Sequence, residues 1–170
     1  MTGFLWNASS LTRMAALHPD LVRVLQAFAP VSLLECVIAQ GNRTAEKQME
    51  IWLECHHPDG TRNDEPWKTN CNGYPLGAPA HNGIRGTGVS NHQGGYAVDL
   101  GILINGVYVG AIDKYHTVAG TLIPLAKSVG IEMIYGGVWQ PPKTDSDHFE
   151  LNRAFYPASG NAEPVQYPLL

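Results

Sequence analysis

The sequence predicts a small α+β domain in which an antiparallel sheet is flanked by helices. Three observations lead there. Apolar runs of strand length at 31–39, 96–104 and 131–135 are interleaved with stretches of helix length at 19–28 and 113–129. Asn105-Gly106 joins the middle run to Val107-Tyr108-Val109, and Asn-Gly is a strong two-residue hairpin signal, hence antiparallel pairing. The 18 Gly and 12 Pro, with 15% charged residues, suit many turns on a scaffold rather than long solvated helices.

At 170 residues the chain is long enough for one domain with its own core. The expectation is a single domain over 1–170, with a core at about 8–152 and a surface tail at 153–170. Ser9 or Ser10 can cap a first short helix running through Leu17. Pro19 opens a second, with His18 as its cap and Leu21, Val22, Val24, Leu25 and Phe28 on an apolar face. Pro30 ends it, and 31–39 reads as a buried strand. Gly41-Asn42 breaks that strand, and Thr44 caps a helix over 44–54. Residues 56–91 are irregular and fit either a cleft wall or lid, or a surface insertion. The strand at 96–104 and its hairpin follow, then a helix over 113–129 stopped by Gly130 and a strand over 131–135. Gly136-Gly137 loosens the backbone before Trp139. Pro141-Pro142 turns the chain toward Asp145 and His148, and a strand continues over 149–151.

Composition excludes several classes of function. A net charge of −4 gives no basic face for nucleic acid. No run of 18 or more apolar residues spans a membrane. The start, Met1-Thr2-Gly3-Phe4-Leu5-Trp6, has no basic segment ahead of an apolar one, so no signal peptide is read and cytoplasmic synthesis is expected. Cys36, Cys55 and Cys71 form no disulfide framework. Cys36 reads as a core residue. Cys55-His56-His57 with Cys71 matches no familiar ligand spacing and reads as loop residues rather than a second zinc site.

The chemistry concentrates in two places. Ser90-Asn91-His92-Gln93-Gly94-Gly95-Tyr96-Ala97-Val98-Asp99 puts a histidine in a loop and an aspartate on the strand that follows, with a Gly pair between them to bend the chain. Asp145-Ser146-Asp147-His148 can bring a third ligand from another strand. Two imidazoles and a carboxylate give a metal three ligands and leave one position open, as in hydrolytic rather than structural zinc sites. Taken singly, each residue also fits a bland role: a satisfied structural histidine, or an aspartate paired with a lysine. Asp145 and Asp147 compete as a base beside the metal, and a bend is required for either to share a face with His148. Arg43, after Gly41-Asn42, is either a helix-end surface charge or a cleft cation for a carboxylate or polarised carbonyl. His81 is a weaker rival ligand in the long loop, and His116 falls within a helix.

Together these blocks resemble the zinc D-Ala-D-Ala carboxypeptidase/L-alanyl-D-glutamate endopeptidase family, which shares its fold with the hedgehog signalling domain. The resemblance rests on Arg43-Thr44-Ala45-Glu46-Lys47-Gln48, on Ser90-Asn91-His92 through Asp99, and on Gly136-Gly137-Val138-Trp139 leading to Asp145-Ser146-Asp147-His148. It covers about residues 8–152. Leu17-His18-Pro19-Asp20-Leu21-Val22 is similar to the opening of the bacteriophage endolysin branch. The span from Gln48 to Ser90 is longer than in compact members, which bears on cleft shape.

The resemblance implies Zn2+ held by His92, Asp99 and His148, Asp145 rather than Asp147 as general base, and Arg43 stabilising the oxyanion or orienting substrate. It implies hydrolysis of peptidoglycan stem peptides, with the L-Ala–D-Glu bond favoured and a D-Ala-D-Ala carboxypeptidase or dipeptidase as the alternative. A non-catalytic zinc-bearing binding module is a further alternative, against which Asp145 and Arg43 both speak. The setting expected is that of a monomeric phage endolysin, made in the host cytoplasm and released to the wall through a holin.

Overall fold

The computed structural model describes residues 3–48, 90–140 and 144–156. Strands β1 (Glu35–Gln40), β2 (Ala97–Ile104), β3 (Val107–Val109), β4 (Met133–Tyr135) and β5 (His148–Leu151) form one sheet in the order β1-β2-β5-β4, with β3 also paired to β2. Every pairing is antiparallel. At the β2–β3 hairpin, Asn105 and Gly106 have φ of 54° and 77°, the two positive values that a tight hairpin turn requires.

Side-chain alternation divides the sheet into two faces. Val98, Leu100 and Ile102 of β2, Cys36 and Ile38 of β1, and Phe149 and Leu151 of β5 are buried on one face. They form one apolar cluster with Leu21, Val24, Leu25 and Phe28 of helix α2 (Pro19–Phe28) and with Tyr115, Val118, Leu122 and Ala126 of helix α3 (Ile112–Ser128). Burying each of the larger of these side chains contributes roughly 1.5–3 kcal/mol, so this face holds the sheet rigid. Asp99, His148 and Glu150 lie on the opposite face.

Helix α1 (Ala8–Met14) is capped by Asn7, whose side chain accepts from Ser10 N–H at 2.8 Å, and not by Ser9 or Ser10 as the sequence suggests. The Ser10 hydroxyl serves the sheet instead. Ile38 N–H donates to Ser10 Oγ (2.9 Å), and Arg13 Nη1 donates to Ile38 O (2.7 Å), so α1 satisfies the outer edge of β1.

Strand β1 begins at Glu35, later than the predicted 31–39. The last turn of α2 captures the preceding residues, since Val31 and Ser32 both donate to Phe28 O, and Val31 and Leu33 are exposed. The strand predicted over 131–135 likewise starts at Met133, because Ile131 N–H donates to Ala126 O at the end of α3. His18 caps α2 through its ring, accepting from Asp20 N–H at 3.2 Å, and Gly130 ends α3 at φ 77°. Thr44 caps a helical turn over 45–48, with Lys47 N–H donating to its Oγ1 at 3.2 Å. The rest of the helix predicted over 44–54, most of the 56–91 segment and most of the tail lie outside the described residues. Among the described residues, no helix is long and apolar enough to cross a membrane.

Ser10→Ala leaves the buried Ile38 N–H without its acceptor. The expected result in urea unfolding is a loss of about 1–3 kcal/mol, the cost of an unsatisfied buried donor. A loss below about 0.5 kcal/mol contradicts this account of the β1 edge.

Candidate metal centre

Asp99 and His148 are direct cross-strand partners in the β2–β5 pairing. The ladder bonds run from Leu100 N–H to Asp147 O and from Leu151 N–H to Tyr96 O, both at 2.9 Å. They flank the Asp99–His148 and Ala97–Glu150 rungs, which are therefore the non-hydrogen-bonded kind, where facing side chains approach most closely.

His92 reaches the same point from a loop closed on itself. Ser90 N–H donates to Gln93 Oε1, Gln93 N–H to Ser90 O, and Gly95 N–H to His92 O. Gly94 and Gly95 have φ of 81° and 74°, values that side chains rarely adopt. A Cβ on Gly95 would lie 2.6 Å from Ala16 O, so the loop is pressed against the α1–α2 junction, where His18 N–H donates to Gly95 O.

The hydrogen bonds fix which ring nitrogen faces the centre. His92 Nδ1 lies 2.9 Å from Gly41 O, a carbonyl that can only accept, so the proton sits on Nδ1 and Nε2 presents a lone pair. His148 Nε2 lies 2.9 Å from Glu150 Oε2 and donates to it, so Nδ1 is the ring nitrogen that faces inward. The inward atoms form a triangle: His148 Nδ1 to Asp99 Oδ1 at 3.0 Å, His92 Nε2 to Asp99 Oδ1 at 3.2 Å, and His92 Nε2 to His148 Nδ1 at 3.3 Å. Donor atoms bonded tetrahedrally at zinc distances are roughly 3.3–3.4 Å apart, so the three residues are already spaced as one face of such a tetrahedron.

Three acceptors this close need a cation among them. In the metal-free protein the need is met by a proton. Burial works against charge on His148, but its hydrogen bonds to Asp99 and Glu150 and their negative charges lift the imidazole to about 10. Burial raises the Asp99 carboxyl, yet the adjoining His92 and His148 outweigh it and hold Asp99 well below the usual carboxylate range.

Asp145 sits beside this cluster in the turn that enters β5, with His148 N–H donating to Asp145 O (3.3 Å) and Asp145 N–H to Gly136 O (3.1 Å). Gly136-Gly137 does not loosen the chain as expected; it forms a tight 3-10 turn over Gly136–Val138. A Cβ on Gly136 would lie 2.5 Å from Asp145 O, so this glycine lets the turn approach. Trp139 follows, its ring 5.2 Å from that of His148. The required bend is thus present, and the Asp145 carboxyl interacts with that of Asp147. Burial first and the interaction with Asp147 second push Asp145 up to about 7, against the opposing charge of His148.

Arg43 is buried at 7% exposure, not a surface charge. A register shift in β1 between Ile38 and Gln40 sets Gln40 opposite Asp99. Arg43 Nη2 donates to Gln40 Oε1 and Nη1 to Gln48 Oε1, both at 2.6 Å, while Arg43 N–H donates to His92 O. Burial lowers the guanidinium, and the charges of Asp99 and Asp145 oppose that. Arg43 Nε and Gln48 Nε2 are buried donors without a partner among the described residues.

The structure thus gathers His92, Asp99 and His148 into a group that could hold a metal ion, with Asp145 and Arg43 near enough for their charges to act on it. His116 lies apart, exposed on α3 with Nδ1 3.3 Å from Tyr135 OH. His81 and the Cys55, His56, His57 and Cys71 group lie outside the described residues. Sequence reasoning overlooked Gln40, Asn91 and Glu150. The available signal for Glu150 was its place two residues after His148 on a strand, and hence on the same face.

Residues 84–151 match the family model described as D-alanyl-D-alanine carboxypeptidase. The structure is similar to that of the L-Ala D-Glu endopeptidase ChiX of Serratia marcescens, at 26% identity and a TM-score of 0.66, covering 91% of this chain and 95% of that one. A more distant likeness, to the vancomycin resistance D,D-pentapeptidase VanY of a VanB-type cassette (an E175A mutant with Zn(II)), has 21% identity and a TM-score of 0.47 over 82% of this chain and 70% of that one, and bears no weight. No curated protein matches the chain. The fold and the matched segment define a DD-peptidase-like domain. The segment 84–151, which carries His92, Asp99 and His148, is the part of the chain that resembles the D-alanyl-D-alanine carboxypeptidase family model.

Because the folded protein holds the Asp145 proton more tightly than the unfolded chain, the associated stability is full below about pH 4 and is lost as pH rises through about 7. Asp145→Asn removes this titration. In thermal melts of chelator-treated protein, the Tm of the variant relative to wild type should rise between about pH 4.5 and pH 8. A difference that does not change with pH contradicts the burial and Asp147 contact assigned to this carboxyl.

Proposed function

We propose that the chain is a zinc-dependent peptidase of peptidoglycan stem peptides and that it cuts between L-alanine and D-glutamate. The observation that carries this reading is the convergence of three lone-pair atoms on one point, with a half-buried carboxyl and a buried guanidinium beside them. Two imidazoles and one carboxylate suit zinc with an open fourth position. Zinc bound there supplies a Lewis acid for the scissile carbonyl and lowers the pKa of water.

The chain's own residues perform the rest. Asp145, with a carboxyl near neutrality, takes a proton from the attacking water and returns it to the leaving amine. Arg43, clamped by Gln40 and Gln48, offsets negative charge developing on the carbonyl oxygen or orients a substrate carboxylate. Arg43 Nε and Gln48 Nε2, donors without a partner among the described residues, are free there to meet a ligand.

Similarity to ChiX over nearly the whole chain supports the endopeptidase. The description of the family model favours a second reading, removal of terminal D-Ala by a D,D-carboxypeptidase. The biological setting in this proposal is a monomeric bacteriophage endolysin, made in the host cytoplasm and reaching the wall through a holin. It rests on the Leu17-His18-Pro19-Asp20-Leu21-Val22 block, whose His18 braces the loop that carries His92.

Mass spectrometry of purified peptidoglycan digested by the zinc-loaded protein tests the proposal. New D-Glu amino termini are expected; free D-Ala selects the second reading, and intact stem peptides beside bound zinc overturn both. Asp145→Ala should keep zinc and lower the rate by about 10²–10⁴-fold, as for loss of a general acid–base group. His92→Ala should fail to retain zinc by atomic absorption, and a fully metallated variant contradicts the ligand set.

A further inference from the structure

Glu150 is buried at 6% exposure on the same sheet face as His148, yet the proposed chemistry gives it no part. A buried carboxylate is costly unless paired and hydrogen-bonded. Among the described residues its partners are His148 Nε2 at 2.9 Å and Asn91 Nδ2 at 2.7 Å, both on Oε2. It faces Ala97 across β2, a residue small enough to leave the carboxylate room beside the ring.

We infer that Glu150 and Asn91 are positioning residues of the metal centre: Glu150 locks the tautomer and ring orientation of His148, and Asn91 locks Glu150. The inference rests on the zinc reading above. Imidazole binds a metal through a nitrogen that carries no proton, and the hydrogen bond at the other nitrogen decides which one that is. With Glu150 accepting from Nε2–H, the lone pair of His148 is on Nδ1, the atom 3.0 Å from Asp99 Oδ1 and 3.3 Å from His92 Nε2. Without that acceptor the proton is free to move to Nδ1 or the ring to turn, and either event removes a ligand.

Asn91 adds a link between distant parts of the chain. It adjoins His92, so the loop that supplies one ligand also braces, 59 residues away in sequence, the carboxylate that orients another. The carbonyl of Gly41 does the corresponding service for His92 from the end of β1. Each imidazole therefore has its outer nitrogen held by a different element, and the two inner nitrogens are left facing one another.

The test uses the full chain, stripped with chelator and titrated with zinc against a fluorescent chelator, and then with cobalt(II) for its visible spectrum. Glu150→Ala should weaken zinc by about 10–100-fold, the usual effect of losing a partner to a ligating histidine. It should also change the cobalt spectrum. Glu150→Gln, which keeps an acceptor for His148 Nε2–H, should recover most of both. Asn91→Ala should show a smaller loss of the same kind, and the double variant should bind no more weakly than Glu150→Ala alone, since Asn91 acts through Glu150. Wild-type zinc affinity in Glu150→Ala, or single losses that multiply in the double variant, overturns the assignment. If circular dichroism shows that Glu150→Ala does not fold, Asn91→Ala decides, and an unchanged affinity and spectrum overturns it. A wild-type chain that takes up no zinc removes the zinc reading and this assignment with it. A wild-type chain that binds one zinc, beside a Glu150→Ala of equal affinity, removes only the assignment.

Discussion

Two hydrogen bonds at the outer nitrogens of His92 and His148, one to Gly41 O and one to Glu150, leave two lone pairs and the Asp99 carboxylate pointing at one another. The arrangement is electrostatically unfavourable without a cation, and the sheet makes it unavoidable. Asp99 and His148 occupy a closely spaced rung, and the opposite face of the same strands is filled by Phe149, Leu151, Val98 and Leu100 in the core. A one-residue slip of β5 would carry His148 into that core and Phe149 onto the site face, so the register that buries the apolar residues also assembles the centre.

The surroundings follow from bringing backbone close to this rung. Gly95 lets the His92 loop press on the α1–α2 junction, and Gly136 lets the Asp145 turn close over the end of β5. The register shift at the end of β1 sets Gln40 opposite Asp99, where it holds Arg43. Arg43 N–H and the Gly41 carbonyl both bond to His92, so the cation and the imidazole are positioned by one short segment. The Asp145 carboxyl, the Arg43 cation and the His92, Asp99 and His148 group therefore share supports and are not independent features placed near one another.

Much of this was legible in the sequence, for definable reasons. The Asn105-Gly106 hairpin, the Pro19 helix with its His18 cap and the Gly130 stop are encoded by local backbone chemistry, and they appear where expected. The α+β class follows from periodicities that tertiary packing did not override. The misplacements have tertiary causes. Ser10 looks like a cap but bonds the edge of β1, and 31–34 looks like strand but is held by the end of α2. His92, Asp99 and His148 stood out by type and spacing, whereas Asn91, Gln40 and Glu150 did not. Their roles depend on what lies across a strand or in another loop, which a residue type alone does not reveal.

Zinc-edge anomalous diffraction from crystals of the zinc-soaked protein tests the central claim most directly. The account predicts one zinc bonded to His92 Nε2, Asp99 Oδ1 and His148 Nδ1, with His148 Nε2 still on Glu150. A zinc bonded to His148 through Nε2, or held by other residues with these three left paired among themselves, contradicts it.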